Sequence, residues 1–354
     1  MLKNDAKYVK KFQKKMPIFY KFIKIYLIWW YIDEAIKDVF VIFQNLKKDV
    51  NTKNLNVFSI IYNTLIKYPL MGFLPSSYFK YKLYENSYKD YFSFCEIYPR
   101  ISKKNSQDLY LFDNKLLFKL YLDKKIKQTK LIAYYNYRNN KIIHYTTPSK
   151  DKVVLKPIKG AGGKGISIIS SKGFNEVLKK CQKNYLVEDF IEQNDFLKKI
   201  FSKSVNTVRV LTYKDKEKIK VISLILKVGI SSTGYVDNIV RGGVPIAIDL
   251  GSGMLLKAHF YKNHDHIKYS KHPETKFEFQ GKILPFFKEV KEIAINAHKL
   301  FPKSVVIGWD IAITENGPII VEGNGLPDIV NMQICDPFKH KLTSIFKEKE
   351  ENYL

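Results

Sequence analysis

The sequence predicts an α+β protein preceded by a mainly helical, basic N-terminal region, and three stretches carry that prediction. In Gly308–Asp328, GWDIAITENGPIIVEGNGLPD, β-branched apolar residues flank Glu315-Asn316-Gly317 and read as a hairpin of two strands, Trp309–Thr314 and Pro318–Glu322. In Val153–Ile169, VVLKPIKGAGGKGISII, two apolar runs are joined by a glycine-rich loop. Between Pro17 and Lys47, Ile18, Phe22, Ile25, Trp29, Ile32, Ile36, Val39, Phe40 and Phe43 recur at helical spacing.

A chain of 354 residues that is 45% hydrophobic and 27% charged buries a large core, forms two or three subdomains and is not globally disordered. Sixty Lys+Arg against 34 Asp+Glu give a formal charge of +26, which points to an acidic partner: nucleic acid, an anionic membrane surface or a polyanionic substrate. Lysine far outnumbers arginine and no zinc-finger spacing occurs, so no specific nucleic acid is expected. Cys95, Cys181 and Cys335 are odd in number and widely spaced, which argues against disulfides and structural zinc and for a cytoplasmic location. Residues 1–150 hold 28 Lys+Arg and 11 Asp+Glu, a net of +17.

In chain order, the longest uncharged run of the first helix, Ile25–Ile32, is far short of the roughly 20 residues of a bilayer span. Its lysine interruptions also argue against a secretory signal. The basic, aromatic helix then either packs on the core, the preferred reading, or lies on an anionic membrane at the inner face of the plasma membrane. Pro69, Gly72 and Pro75 break the next apolar segment into a short helix and a loop. A helix over Asp113–Lys125, with Leu116, Leu117, Leu120 and Leu122 as its apolar set, precedes strands Leu131–Tyr137 and Lys141–Tyr145. Pro148-Ser149 marks a subdomain boundary. The expected organisation is an N-terminal region over residues 1–110 and a main domain over 111–354. The main domain divides into a small subdomain at about 150–192 and a larger one at about 193–340.

The loop with Gly160, Gly162, Gly163 and Gly165 runs into a second strand rather than a helix, so neither a Walker loop nor a dinucleotide loop fits. A flexible hairpin whose backbone N–H groups fold over a triphosphate does fit, with Lys156 and Lys164 neutralising charge; the plain alternative is an ordinary glycine turn. A helix over Phe174–Lys183 and a strand Tyr185–Ile191 follow. Strands at Val205–Leu211 and Val221–Val228 and the segment Val236–Gly243 place Asn206, Arg209, Asn238 and Arg241 at strand positions or ends, where each is otherwise a satisfied polar side chain. His259, His264, His266 and His272 lack zinc spacing, although His272 is a candidate substrate contact. In the hairpin, a three-residue loop with left-handed Gly317 sets Asp310 opposite Glu322 and aligns both with Asn324, a set that can bind magnesium; a two-residue loop puts the two carboxylates on opposite faces.

Taken together, Lys156, the Gly160–Gly165 loop, Glu188-Asp189-Phe190-Ile191 and Asp310, Glu322, Asn324 resemble the ATP-grasp superfamily over roughly Asp113–Phe338. The phrases SVNTVRV, VDNIVRGG, His272-Pro273-Glu274-Thr275, GWDIAIT and IIVEGNGLPD resemble the sugar-transfer-associated ATP-grasp proteins, predicted to act in bacterial surface polysaccharide synthesis. The resemblance implies two α+β subdomains gripping ATP. Lys156, Gly160, Gly162, Gly163, Lys164 and Gly165 would hold the phosphates, with Glu188, Asp189 and Ile191 at adenine and Asp195 at ribose. Asp310, Glu322 and Asn324 would hold two Mg²⁺ ions, or Mn²⁺ in their place, and Arg209, Arg241 and Asn238 would serve the transferred phosphoryl group and the substrate. The implied activity is a carboxylate–amine ligase acting through an acyl phosphate on an acidic saccharide or glycan precursor and an amine co-substrate. A kinase acting on a saccharide hydroxyl and a non-catalytic polyanion- or membrane-binding protein are the alternatives.

Overall fold

The computed structural model describes residues 16–160, 162–239, 242–262, 265–335 and 337–346. Two antiparallel sheets organise it. The smaller has the order β2-β1-β5-β3-β4, from β1 (Leu131–Asn136), β2 (Lys141–His144), β3 (Lys152–Pro157), β4 (Ser167–Ser170) and β5 (Tyr185–Asp189). The larger has the order β10-β9-β8-β7-β6-β11-β12, from β6 (Thr207–Asp215), β7 (Lys218–Val228), β8 (Val244–Ile248), β9 (Leu255–Lys262), β10 (Asp265–Tyr269), β11 (Val306–Thr314) and β12 (Gly317–Asn324).

Burial on both faces explains why the central strands of the larger sheet read as continuous apolar runs. Alternate residues go to different cores. Val208, Val210, Leu224 and Leu226 pack with Val290, Ala294 and Ala297 of the helix Phe287–Lys299, while Leu211, Tyr213, Ile222 and Ile225 pack with Phe79, Phe92 and Ile97 of the N-terminal region. Trp309 is fully buried among Phe112, Phe118 and Phe301, and its Nε1–H donates to Thr212 Oγ1 at 2.9 Å. The smaller sheet buries Ala133, Tyr135, Leu155 and Val187 against Phe174 and Leu178 of the helix Phe174–Lys179. That helix stops four residues earlier than expected, because the chain must turn to enter β5, and Asn184 fixes the turn by accepting from Tyr137 N and Ile158 N.

The N-terminal helix runs from Met16 to Lys53 and packs one face on the body, with Leu27 and Ile42 buried and Trp30 in ring contact with Phe94 and Tyr98. Asn54 in the left-handed region and Asn56, which caps the helix Val57–Tyr62, end it. Among the described residues no helix is long and apolar enough to cross a membrane.

Buried amides join the N-terminal region to the strands of the hairpin. Asn105 is fully buried; its Nδ2 donates to Val306 O at 2.6 Å and Gly325 O at 2.7 Å, and its Oδ1 accepts from Val305 N at 2.7 Å. Gln333 likewise spans Phe92 N and O and Tyr81 Oη. Asn105→Ala removes the amide partner of Val306 O, Gly325 O and Val305 N and is expected to lower stability by about 3 kcal/mol, read as a lower urea midpoint at unchanged slope; a loss below about 1 kcal/mol would show that water replaces the amide.

Candidate active site

The carboxylate pair of the hairpin comes together by a route the turn alone does not supply. Thr314 pairs with Gly317, so the loop holds only Glu315 and Asn316, and the ladder continues to Ile311–Ile320. Unbroken, that register would set Asp310 opposite Val321 and turn Glu322 to the other face. An irregularity between Ile311 and Asp310 leaves Val321 as an extra residue, after which Asp310 pairs with Glu322 and Gly308 with Asn324. The expected three-residue loop is therefore corrected: Gly317 does have positive φ, +91°, but a β-bulge restores the facing carboxylates. Gly323 follows because a Cβ there would lie 2.7 Å from the Phe118 ring.

Asp310 faces a row of buried charge contributed by neighbouring strands. Arg209, directly across on β6, donates from Nε at 2.6 Å and Nη2 at 3.0 Å, and Lys227 of β7 lies 3.1 Å from Oδ1. Lys227 also lies 3.6 Å from Asp237, whose Oδ2 accepts from Thr207 N at 2.8 Å. Burial raises the Asp310 carboxyl, but Arg209 and then Lys227 overcome it and hold the group well below the usual carboxylate range. Asp237 is pushed up by burial, and Lys227 offsets this only in part.

The smaller sheet forms the opposite wall of a cleft of about 370 Å³. Lys156, Gly160, Gly162, Gly163, Lys164, Glu188, Asp189, Ile191, Arg209, Asn238, Asp310, Glu322 and Asn324 all line it, so most of the residues singled out from the sequence converge. The four loop glycines all have positive φ, and a Cβ on Gly163 would sit 2.5 Å from Val236 Cγ1, which is why the loop can lie against the Val236–Asn238 segment. Lys156 Nζ is 2.6 Å from Glu188 Oε2, and Lys119 Nζ is 3.3 Å from Glu188 Oε1. Thr129 Oγ1 donates to the same carboxylate at 3.1 Å. Burial raises Glu188, yet Lys119 and Lys156 together bring its carboxyl far below the ordinary value. Lys115 Nζ donates to Gly160 O at 2.9 Å and lies 3.2 Å from Glu322 Oε1, tying the loop to the hairpin.

Several expectations end elsewhere. Asp195 is exposed, pairs with Lys198 at 3.0 Å and lies outside the cleft, so its geometry does not support ribose binding. Gly165 shapes the loop against Pro157 without lining the cleft. The Asp189 carboxylate accepts from Ser149 N at 3.0 Å and Oγ at 2.5 Å and so ties down the chain before β3. His272 is fully buried: its Nδ1 accepts from Glu274 N and Thr275 N, which leaves Nε2–H for Gly229 O at 2.9 Å, and the ring stacks on Phe201. It is a loop anchor, not a substrate contact. Arg241 and His264 lie outside the described residues.

Sequence reasoning missed Lys115, Lys119, Lys227, Asp237 and Asp328, all but Lys119 in the cleft lining. The helix expected over Asp113–Lys125 spans Lys115–Leu122, and it buries Phe118, Lys119 and Leu122 rather than a leucine set. A lysine among apolar neighbours at that spacing was the available signal.

Among the described residues no three His, Cys, Asp or Glu side chains form a metal cage by themselves. Asp310, Glu322 and Asn324 nevertheless offer hard oxygen donors from one face, and these are the residues that would hold a magnesium ion. The Asn324 amide is buried with Nδ2 unpartnered among the described residues, as is Asn238 Oδ1.

Glu188→Gln leaves two ammonium groups without their buried counter-charge and is expected to cost about 3–5 kcal/mol at neutral pH. A carboxyl depressed in the folded state contributes stability above its unfolded value of about 4.5 and loses it as pH falls through the lower folded value. Denaturation between pH 6 and pH 2, values chosen as roughly bracketing that window, is expected to show a steeper acid loss in the wild type than in Glu188→Gln; parallel curves would refute the buried ion pair.

Residues 176–346 match the family model described as sugar-transfer associated ATP-grasp. The matched segment includes Glu188, Arg209, Asn238, Asp310, Glu322 and Asn324, and it begins after the Lys156 strand and the glycine loop. Among solved structures, the chain is similar to the D-alanine-D-alanine ligase of Helicobacter pylori at 15% identity and a TM-score of 0.39, over 68% of this chain and 60% of that one. It is also similar to the L-amino acid ligase of Bacillus licheniformis (10%, 0.38, 67% and 49%) and to the N5-carboxyaminoimidazole ribonucleotide synthetase of Thermotoga maritima (15%, 0.38, 68% and 51%). The chain thus spans between about half and three fifths of these proteins. No curated protein sequence matches it. The match to the sugar-transfer associated ATP-grasp model runs across the strands that present Arg209, Asp310, Glu322 and Asn324, and over residues 176–346 the chain is similar to that family.

Proposed function

We propose that the chain is an ATP-dependent carboxylate–amine ligase that works through an acyl phosphate and joins an amino acid or amine to an acidic saccharide in cell-surface polysaccharide biosynthesis. One observation carries this reading: Lys115, Lys156, Arg209 and Lys227 converge with Asp310, Glu322 and Asn324 in a single cleft between two sheets. Together with Lys164, these cations line the cleft and suit a triphosphate and an anionic acceptor.

Val154, Ile168, Phe190 and Ile191 give the cleft an apolar end for the adenine ring, and the backbone of the Gly160–Gly165 loop covers the phosphates. Magnesium held by Asp310, Glu322 and Asn324 would offset charge on the β- and γ-phosphates. Lys156 takes the phosphate side of the small sheet. Arg209, held by its fork on Asp310, would stabilise equatorial charge on the transferred group. The substrate carboxylate oxygen attacks the γ-phosphorus and ADP leaves. The amine then attacks the acyl carbon, phosphate departs with the acyl oxygen, and the amine proton is lost to solvent. Asn238 lines the cleft beside the glycine loop and would contact the amine co-substrate there.

The test measures ADP and free phosphate released from Mg-ATP with panels of acidic saccharides and amines. Release of both, dependent on both substrates and lowered about 10²–10³-fold in Glu322→Ala, is expected. ADP without free phosphate, with phosphate retained on the saccharide, would make the protein a kinase; equal turnover of neutral glycans would remove the acidic-substrate assignment. Gly163→Ala, strained at positive φ and crowded by Val236, is expected to raise KM for ATP about tenfold with little change in kcat. An unchanged KM would mean that the loop does not close over the nucleotide.

A further inference from the structure

The N-terminal helix buries one side and leaves the other apolar. Ile25, Trp29, Ile32, Ile36, Phe40 and Phe43 fall within one narrow sector of the helix, opposite buried Leu27 and Ile42, and all are exposed. Trp29, Ile36 and Phe40 keep 67%, 66% and 66% of their surface in solvent. At 1.5 Å per residue the stripe is about 27 Å long. A second stripe follows at Phe58, Tyr62, Ile66 and Leu70, with Phe58 79% and Leu70 84% exposed. Single exposed apolar side chains are ordinary, but two long stripes within fewer than fifty consecutive residues mark a surface that is covered in use.

We propose that this face docks on an anionic lipid bilayer, lying in the interfacial plane. Charge supplies the complement: residues 1–71 hold thirteen lysines against five carboxylates, a net of +8, and six of those lysines fall at Lys3, Lys7, Lys10, Lys11, Lys14 and Lys15 with Asp5 as the sole acid. The chemistry of the stripe favours lipid over a second helix. Residues 25, 29, 32, 36, 39 and 43 do have the spacing of a coiled-coil seam, but the flanking positions carry exposed Tyr26, Ile28 and Phe40, where a paired helix places charges that select its partner. An exposed stripe of Ile, Trp and Phe, bordered by Tyr26 and Ile28 and followed toward the N-terminus by a lysine-rich stretch, suits the boundary between headgroups and acyl chains. The inference is independent of the ligase reading, since no residue of the cleft takes part.

The experiment is co-sedimentation of the full chain with phosphatidylcholine vesicles alone, or with about a third phosphatidylglycerol, at low salt and at about 0.5 M NaCl. Ile36→Glu/Phe40→Glu changes two exposed side chains, and its melting temperature checks folding. Binding to the anionic vesicles only, weakened by salt and lowered about tenfold or more in the folded variant, is expected, with no loss of ATP turnover in solution. Equal sedimentation of the variant would refute the assignment of this face. Absence of vesicle binding, together with a dimer in solution that the variant abolishes, would assign it to a second copy of the chain instead. If the double variant does not fold, Phe40→Glu alone, at a side chain 66% exposed, carries the same test.

Discussion

Asp310 lies between Arg209 and Lys227 in the interior of a seven-stranded sheet, and the rest of the larger lobe is arranged around keeping that carboxylate ionised. A charge in low dielectric must be neutralised by partners at fixed distance, so the register of β6, β7 and β11 cannot slip without breaking the row. Arg209 pairs in register with Asp310, and Thr207 with Lys227, which is what brings Asp237, Lys227, Asp310 and Arg209 into one line. Glu322 belongs to the same face but is held more loosely. About a third of its side chain is exposed, and its ionic partner Lys115 comes from a helix rather than from the sheet. Of the two carboxylates, it has the greater freedom to turn toward an arriving cation.

The smaller lobe repeats the device with opposite charge order. Glu188 sits between two ammonium groups, but they are not equivalent: the Lys119 side chain is 2% exposed and that of Lys156 13%. Lys119 can remain on Glu188 while Lys156 turns to an anion in the cleft, so the carboxylate is never left alone in the interior. Without Lys119, moving Lys156 would strand a buried negative charge. The inner lysine is thus a positioning residue, and the need for it explains a cation inside an otherwise apolar helix face. Lys115 links the lobes, because one ammonium reaches both Gly160 O and Glu322 Oε1; a shift of the glycine loop is felt at the hairpin carboxylate.

How much of this was legible in the sequence follows from the range of each signal. Alternating β-branched residues and the glycines read correctly, because period and turn chemistry are local. The bulge at Val321 was not legible: the facing of Asp310 and Glu322 was right, but through a turn that the chain does not use. Local pattern reports how many residues lie between two groups, not which of them steps out of the ladder. His272 failed for a related reason, since a histidine in a loop looks solvated until Gly229 and Phe201 arrive from elsewhere in the chain to bury it. Lys119 and Lys227 were passed over because a lysine in an apolar run is ordinarily taken as exposed. Each of these depends on a contact distant in sequence.

The N-terminal helix shows the limit of periodicity most plainly. A stripe of Phe, Trp and Ile at helical spacing announces that one side of a helix avoids water, without stating what removes it. The helix has apolar residues on two sides, and the structure separates them. Leu27, Trp30 and Ile42 meet Phe94, Tyr98 and their neighbours, while Trp29, Ile36 and Phe40 meet no part of the described chain that covers them. A core helix is free to be apolar toward the body and gains nothing from hydrophobicity on the far side. The outer stripe therefore answers to a constraint that the fold does not impose, and lysine-rich flanks narrow the class of surface that can impose it.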